Sequence, residues 1–263
     1  MSVSRYYLTA LAALILSTLV LSSCHSPPPE EDSSQNKAAI IDQLCLLESN
    51  PAFIEQAGEI LTSSGFEVDL WQGEQITVDF YRNLPACGYK IIVFRAHSGL
   101  LLSAENQQMV ASDTTYLFTG ERYTTTKHVS EQLTERVSNA MMSDQYPLIF
   151  AVNSEFILQD LKDDFNNTVI LMMGCETHYL DDLANAFIEK GASVYLGWST
   201  LVSLEYVDEA TINLLKKLCL ENLPVEQGVT VTMTDMGTDP YFHAHLKYFP
   251  ARSGLRTITE LIK

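Results

Sequence analysis

Apolar runs of strand length alternate with amphipathic segments along most of the chain. One such segment begins with Asn50 and Pro51, a typical N-cap and first helical residue, and ends at Gly65. The runs that predict strands lie at 38–47, 66–71, 89–97, 168–174 and 192–198. The segments that predict helices lie at 50–65, 77–84, 155–165, 180–191 and 205–222. This alternation predicts an α/β fold with a doubly wound, mostly parallel sheet covered on both faces.

Residues 100–155 interrupt the alternation. Their predicted elements are a hairpin that turns at Thr119-Gly120, an amphipathic helix at 129–142 and a strand at 146–152. No repeat and no linker separates a second domain. We therefore expect one α/β domain over 38–263, with an inserted hairpin and helix subregion at about 100–155.

The N-terminus has the pattern of a secretory signal. Arg5 precedes the apolar run 8–21, which is shorter than the roughly 20 residues that span a bilayer. The ending Leu-Ser-Ser-Cys24 resembles the lipobox of prokaryotic lipoproteins, and this resemblance implies that Cys24 is lipidated and anchors an extracytoplasmic protein to a membrane. An ordinary cleaved signal and an uncleaved anchor are the alternatives. Proline, serine and acidic residues at 25–37 predict a solvated tether.

The net charge of the chain limits the classes of binding partner. With 16 basic and 33 acidic residues, the formal net charge is -17. Such a surface repels nucleic acid, which we exclude as a partner, and it also makes anionic headgroups poor partners for the folded part. Acidity does not identify a substrate.

Four cysteines lie outside the anchor. An extracytoplasmic location permits disulfides, and the sequence allows a Cys45–Cys87 bridge because the strands near these residues could be neighbours, but it does not determine the pairing. Cys219 fits a buried position on a helix. Cys175 differs from these three, since it stands where an apolar strand stops and polar chain begins.

Two residues capable of cysteine chemistry end predicted strands. His97 follows one apolar run and Cys175 follows another. In a doubly wound sheet, ligands bind outside the carboxyl ends of the strands. If these two strands are neighbours, an imidazole near the thiol favours the thiolate and can protonate a leaving amine. Gly99 and Gly174 would allow backbone to approach a substrate closely.

The segments 89–99 and 168–175 resemble the caspase-like cysteine peptidases, a group that includes gingipains, legumains, caspases and the related CHAT domains. The shared order is an apolar strand, His-Gly, a variable stretch, an apolar strand, and a small residue before Cys. The resemblance covers roughly 38–99 and 155–220. It implies that Cys175 is the nucleophile and His97 its acid/base partner.

The same resemblance implies that backbone amides around Ser98, Gly99 and Gly174 bind the oxyanion. The sequence departs from the family pattern because Ser98 separates the histidine from the glycine. Glu176 directly follows the cysteine, and an adjacent carboxylate raises a thiol pKa.

Glu176, Tyr195 and Trp198 are candidates for a substrate pocket because they lie at or near strand ends. Metal binding at Cys175 and His178, or at His243 and His245, is a weaker alternative, since two ligands do not make a site. We therefore predict no metal and no cofactor.

Two functions follow from this pattern. The first is a lipid-anchored, extracytoplasmic cysteine peptidase-like hydrolase that cleaves a peptide or protein substrate with a Cys175–His97 dyad. The second is a catalytically degenerate lipoprotein that uses the same crevice, or the insertion, to bind a protein or peptide partner.

Overall fold

The structure is a computed structural model that describes residues 36–105 and 108–263. The expected signal segment, Cys24 and the tether up to residue 35 lie outside the described residues. These expectations therefore stay predictions.

The strands of the described residues form two sheets. They are β1 (Lys37–Asp42), β2 (Glu67–Gln72), β3 (Tyr89–Arg95), β4 (Ser98–Glu105), β5 (Gln108–Arg122), β6 (Val137–Ala140), β7 (Ile149–Asn153), β8 (Thr168–Met172), β9 (Ala192–Trp198) and β10 (Leu246–Phe249). A six-stranded sheet has the order β10-β9-β8-β3-β1-β2, and a four-stranded sheet has the order β4-β5-β7-β6.

The helices of the described residues are α1 (Pro51–Ser63), α2 (Val78–Asn83), α3 (Val129–Leu133), α4 (Ser154–Asp160), α5 (Asp182–Glu189), α6 (Leu204–Leu215), α7 (Val225–Met236) and α8 (Ile258–Leu261). Five of them, α1, α2, α4, α5 and α6, begin within two residues of a predicted start. The Asn50 side chain caps α1 by accepting a hydrogen bond from the Phe53 amide at 3.1 Å. Gly65, just beyond the helix, has a φ of +89°, a conformation that glycine adopts without strain.

The six-stranded sheet buries both of its faces. Its neighbouring strands are parallel except for β9 and β10. Successive side chains point to opposite faces, so Ile91 and Val93 belong to one apolar cluster and Ile92 and Phe94 to another. Side chains of α1, α6, α7 and α8 complete the first cluster, and those of α2, α4 and α5 complete the second. The predicted α/β architecture, a mostly parallel sheet flanked by helices, is confirmed and is compatible with a doubly wound fold.

The insertion differs from its prediction. Residues 114–126 contain no turn at Thr119-Gly120, because β5 continues through both residues and pairs with β4 on one side and β7 on the other. The predicted helix at 129–142 is also wrong beyond its first turn, since residues after Leu133 pass into β6. The hydroxyl of Thr119 donates to the Phe150 carbonyl at 2.7 Å, where the pairing of β5 with β7 is irregular. Pairing with neighbouring strands outweighs local turn and helix preferences here.

The C-terminal region contains α7 and β10, which sequence patterns did not predict. α7 is rich in threonine and valine, and β-branched residues have low helix propensity. The helix is stabilised instead by packing, because Val225 and Val229 are buried in the first cluster.

The four cysteines of the described residues are free, so the Cys45–Cys87 bridge that the sequence allowed is not formed. β1 and β3 are indeed neighbours, but Cys45 follows the carboxyl end of β1 whereas Cys87 precedes the amino end of β3. A parallel strand of six residues rises about 20 Å, which exceeds the reach of a disulfide.

A buried ion network closes the carboxyl ends of β1 and β3. The Arg95 guanidinium donates to both oxygens of Asp208, at 2.8 and 2.9 Å, and to Asp42 at 2.8 Å. Its remaining contact is the Glu48 carbonyl at 3.0 Å. Because Asp208 lies on α6, the network ties this helix to the end of the sheet from which His97 emerges.

Candidate active site

His97 and Cys175 follow two strands that lie side by side. β3 and β8 pair in parallel, with Phe94 opposite Met172. The Met173 amide donates to the Phe94 carbonyl at 2.9 Å, so the pairing continues past the end of β8. The two strands are adjacent and parallel, as predicted, so both residues leave the same edge of the sheet, and the predicted convergence of their side chains stays a prediction.

The two strand ends touch at Gly174. A Cβ atom at this position would lie 2.0 Å from the Ser98 Oγ and 2.5 Å from the Ala96 carbonyl oxygen, so only glycine fits. The Ser98 hydroxyl donates to the Cys175 carbonyl at 2.7 Å. These contacts fix the backbone around Cys175 relative to the segment that carries His97.

The Cys175 thiol is partly buried against the first apolar cluster. Its sulfur lies 3.5 Å from both the carbonyl oxygen and the amide nitrogen of Val202. Burial raises the pKa of Cys175, the Val202 amide lowers it, and the charges of Glu176 and Asp239 raise it further. The net pKa is raised, and the resting thiol is therefore protonated near neutral pH.

His97 is held through its backbone. Its amide donates to the Gln43 Oε1 at 2.9 Å, and its carbonyl accepts from the Phe118 amide at 3.0 Å. The imidazole packs against the Phe118 ring at a centroid distance of 5.9 Å. Burial lowers the pKa of His97, and the charge of Arg95 lowers it further, so the ring is neutral near pH 7 and suited to accept a proton.

Within residues 36–105 and 108–263, no hydrogen bond joins the His97 imidazole to the Cys175 sulfur. The polar contacts of the thiol are those with Val202. The site thus contains a neutral base and a protonated thiol on neighbouring strand ends, without the hydrogen bond of a formed dyad.

Glu176 adopts a left-handed conformation with a φ of +56°. Its carboxylate turns toward β4 and accepts from the Leu100 amide at 3.0 Å. A Cβ atom on Gly99 would lie 3.0 Å from the same carboxylate. The carboxylate therefore lies beside Ser98 and Gly99, where the resemblance places oxyanion-binding amides.

Tyr195 and Trp198 belong to the two buried apolar clusters, which corrects the expectation that they line an open substrate pocket. Their exposed fractions are 0% and 1%. The Tyr195 hydroxyl donates to the Thr177 carbonyl at 2.7 Å, and the Trp198 ring packs against Tyr206. The loops that follow β8 and β9 cover this end of β9, so its aromatic side chains belong to the core.

Thr177 and Gln43 are site residues that sequence patterns did not reveal. The Thr177 Oγ1 accepts from the Trp198 amide at 2.9 Å and lies 3.2 Å from the Gly174 carbonyl, which fixes the loop after Cys175. Gln43 is fully buried and donates to the Thr119 carbonyl at 3.1 Å while it holds the His97 amide. Both roles depend on partners distant in sequence, and neither residue belongs to a periodic pattern.

His178 is a buried histidine close to the nucleophile loop. Its Nδ1 lies 3.1 Å from an Asp181 carboxylate oxygen, and neither ring nitrogen has a hydrogen-bond partner among the described residues. Burial lowers the pKa of His178, Asp181 raises it and Lys247 lowers it, with a net decrease. The ring is therefore neutral near pH 7.

The described residues contain no group of three or more histidine, cysteine or acidic side chains arranged to hold a metal. The pairs formed by Cys175 with His178 and by His243 with His245 thus lack a third protein ligand among these residues.

A cleft of about 430 Å³ opens on the α6 side of the sheet edge. Its lining consists of Glu48, Ser49, Asn50, Arg95, Leu204, Glu205 and Asp208. Leu204, one of the lining residues, is two residues after Val202, whose backbone contacts the Cys175 sulfur.

Comparison of the sequence with models of known protein families gives no match, and comparison with curated proteins gives none either. In the part of the chain that the structure describes, no helix is both long enough and apolar enough to cross a bilayer.

Proposed function

We propose that the chain is a cysteine peptidase-like hydrolase of the caspase-like group, with Cys175 as the nucleophile and His97 as the acid/base. The observation that carries this proposal is the parallel pairing of β3 and β8, which brings both residues to one edge of the sheet. The close contact of Ser98 and Gly174 supports it, because it fixes the two strand ends relative to each other.

In the proposed reaction, substrate binding replaces the contact of the thiol with the Val202 carbonyl. The thiol transfers its proton to the neutral imidazole of His97, and the thiolate attacks the carbonyl carbon of the peptide. The imidazolium then protonates the leaving amine, which leaves an acyl-enzyme thioester. Water, deprotonated by the same imidazole, hydrolyses the thioester and restores the thiol.

The N-terminal sequence pattern supports a proposal for the location of the enzyme. We place it outside the cytoplasm, on a membrane to which a lipid on Cys24 anchors it, where it acts on a peptide or protein substrate. Replacing Cys24 with serine should release the protein from membranes or block its processing. Membrane fractionation in which the variant is processed normally and stays firmly bound would contradict lipidation at this residue.

The second function, a noncatalytic lipoprotein that binds a partner in the same crevice, is favoured by one specific observation. The Cys175 thiol is hydrogen-bonded to Val202 and not to His97, and its pKa is raised. An electrophilic activity-based probe separates the two functions. If the dyad operates, the probe labels Cys175 in the wild type and fails to label it in His97→Ala.

Catalysis by a dyad predicts that Cys175→Ala and His97→Ala each abolish peptide hydrolysis. The two losses should be similar and should not add in the double variant, because the residues act as a unit. Turnover of a peptide library by the purified variants measures this.

Cys219→Ala is the matched control. Burial raises the pKa of Cys219 to about 12, so this thiol is unreactive and the substitution should spare turnover while lowering stability. If Cys175→Ala instead keeps hydrolysis intact and lowers the melting temperature sharply, Cys175 is structural and the proposed function fails.

A further inference from the structure

A buried carboxylate joins two segments beside the candidate nucleophile. Asp239 follows α7 and has an exposed fraction of 0%. One of its oxygens accepts from the amides of Tyr241 and Phe242, at 2.9 and 2.6 Å. The other accepts from the Ser203 amide at 2.8 Å and from the Ser203 hydroxyl. The carboxylate therefore fixes the loop after α7 to the segment that begins α6.

Ser203 directly follows the residue that covers the thiol. The Val202 backbone contacts the Cys175 sulfur through both its amide and its carbonyl, and the Val202 side chain is buried in the first cluster. Asp239 is thus connected to Cys175 through two consecutive residues. Nothing else in the loop after α7 hydrogen-bonds to Val202 or Ser203 among the described residues.

We propose that Asp239 is a positioning residue for Cys175, which anchors Ser203 and so holds the Val202 backbone over the thiol until this segment moves. The proposal deepens the proposed function and rests on it, because it concerns the regulation of the same thiol. The contact blocks the thiol in the resting state, and its release exposes Cys175 to substrate.

The electrostatics of the thiol agree with this role. Burial is the largest cause of the raised pKa of Cys175, and the carboxylates of Glu176 and Asp239 raise it further, against the lowering by the Val202 amide. Release of the covering segment would lessen the largest of these effects, the burial of the thiol. The thiolate fraction near neutral pH should therefore increase when the segment moves.

Asp239→Asn tests the proposal. Asparagine has one acceptor oxygen where aspartate has two, so it cannot accept from Ser203 and from the Tyr241 and Phe242 amides together. The connection between the loop after α7 and the covering segment therefore loosens, and the negative charge disappears. We expect the rate constant for alkylation of Cys175 by iodoacetamide, measured by peptide mapping, to rise roughly three- to tenfold near neutral pH. The inflection of its pH profile should move to lower pH.

Asp235→Asn is the matched control. Asp235 lies on α7, its side chain is 44% exposed and its ion-pair partner is Lys217 at 3.7 Å. The same change of chemistry there should leave the rate and the pH profile of alkylation at Cys175 unchanged. A purely structural effect of Asp239 on global stability would change the unfolding midpoint and leave the pH profile of the folded protein where it is.

The proposal is overturned if folded Asp239→Asn alkylates at the wild-type rate with an unshifted profile, or more slowly. If that variant fails to fold, Ser203→Ala removes only the hydroxyl contact with Asp239, and a smaller increase in the same direction is then required. Alkylation of Cys175 does not require peptide hydrolysis, so the experiment tests the positioning role of Asp239 independently of the proposed peptidase activity. If the variant is alkylated faster but the protein hydrolyses no peptide, the positioning role is supported and the proposed peptidase activity is refuted.

Discussion

Replacing Arg95 with methionine should destabilise the fold more than any exposed substitution, because it leaves two buried carboxylates without a cation. The side chains of Arg95, Asp42 and Asp208 are 0%, 1% and 7% exposed. Methionine fills most of the same volume but makes none of the four hydrogen bonds of the guanidinium. The perturbation therefore isolates charge and hydrogen bonding from packing.

The expected loss follows from the burial of the network. Removing one partner of a buried ion pair costs about 3–5 kcal/mol, chiefly because the remaining charge stays desolvated. A typical domain has a free energy of unfolding of about 5–15 kcal/mol, so the loss amounts to a large part of the total. The Phe53 ring, 5.7 Å from the guanidinium, loses a cation–π contact as well.

Urea unfolding followed by tryptophan fluorescence measures this change. Trp198 packs against Tyr206 of α6 at a centroid distance of 5.6 Å and so reports on the helix that carries Asp208. The midpoint should fall while the slope stays nearly constant. The double variant Arg95→Met with Asp208→Asn should recover part of the loss, because one of the two unpaired charges is removed.

Arg122→Met is the control. Its side chain is 70% exposed and lies 3.9 Å from Glu74, which is 67% exposed, so the substitution should change the free energy of unfolding by no more than about 0.5 kcal/mol. A loss of less than about 1 kcal/mol in Arg95→Met would refute the reasoning, since the carboxylates would then have to be solvated.

Three further substitutions test other parts of the structure. Gly174→Ala should lower the free energy of unfolding in urea by about 1–3 kcal/mol, because the new Cβ would collide with Ser98. Gly58→Ala, in the middle of α1, should raise it by about 0.5–1 kcal/mol, because no atom lies within 4 Å of the new Cβ. An equal effect at the two glycines would contradict the close contact of the strand ends. Burial lowers the pKa of His178 in the folded state. The stability that depends on the neutral imidazole is therefore complete above the pKa of the unfolded state, about 6.5, and is lost as the pH falls through the lower pKa of the folded state. His178→Phe should therefore lose less stability than the wild type on acidification from about pH 7 to about pH 5, and an identical loss would show that the imidazole is hydrated.

The sequence by itself determined the architecture of the main sheet. Continuous apolar runs such as 89–97 and 168–174 indicate strands buried on both faces, and their alternation with amphipathic segments leaves a parallel sheet between helices as the consistent arrangement. The cap at Asn50 and the glycine at Gly65 are local signals, and both operate as predicted. The positions of His97 and Cys175 at strand ends were equally visible in the sequence, because each stands where an apolar run stops.

Only the tertiary structure decided which strands are neighbours, which residues are buried and which groups hydrogen-bond to one another. Whether β3 and β8 are neighbours depends on crossover connections, and the same apolar strands could pair in other orders. The buried state of Tyr195 depends on loops that cover the sheet edge, which no periodicity encodes. The contacts of Cys175 with Val202, and of Ser203 with Asp239, join residues far apart in the chain through backbone groups. Backbone groups carry no sequence signature, so only the folded chain assigns their partners.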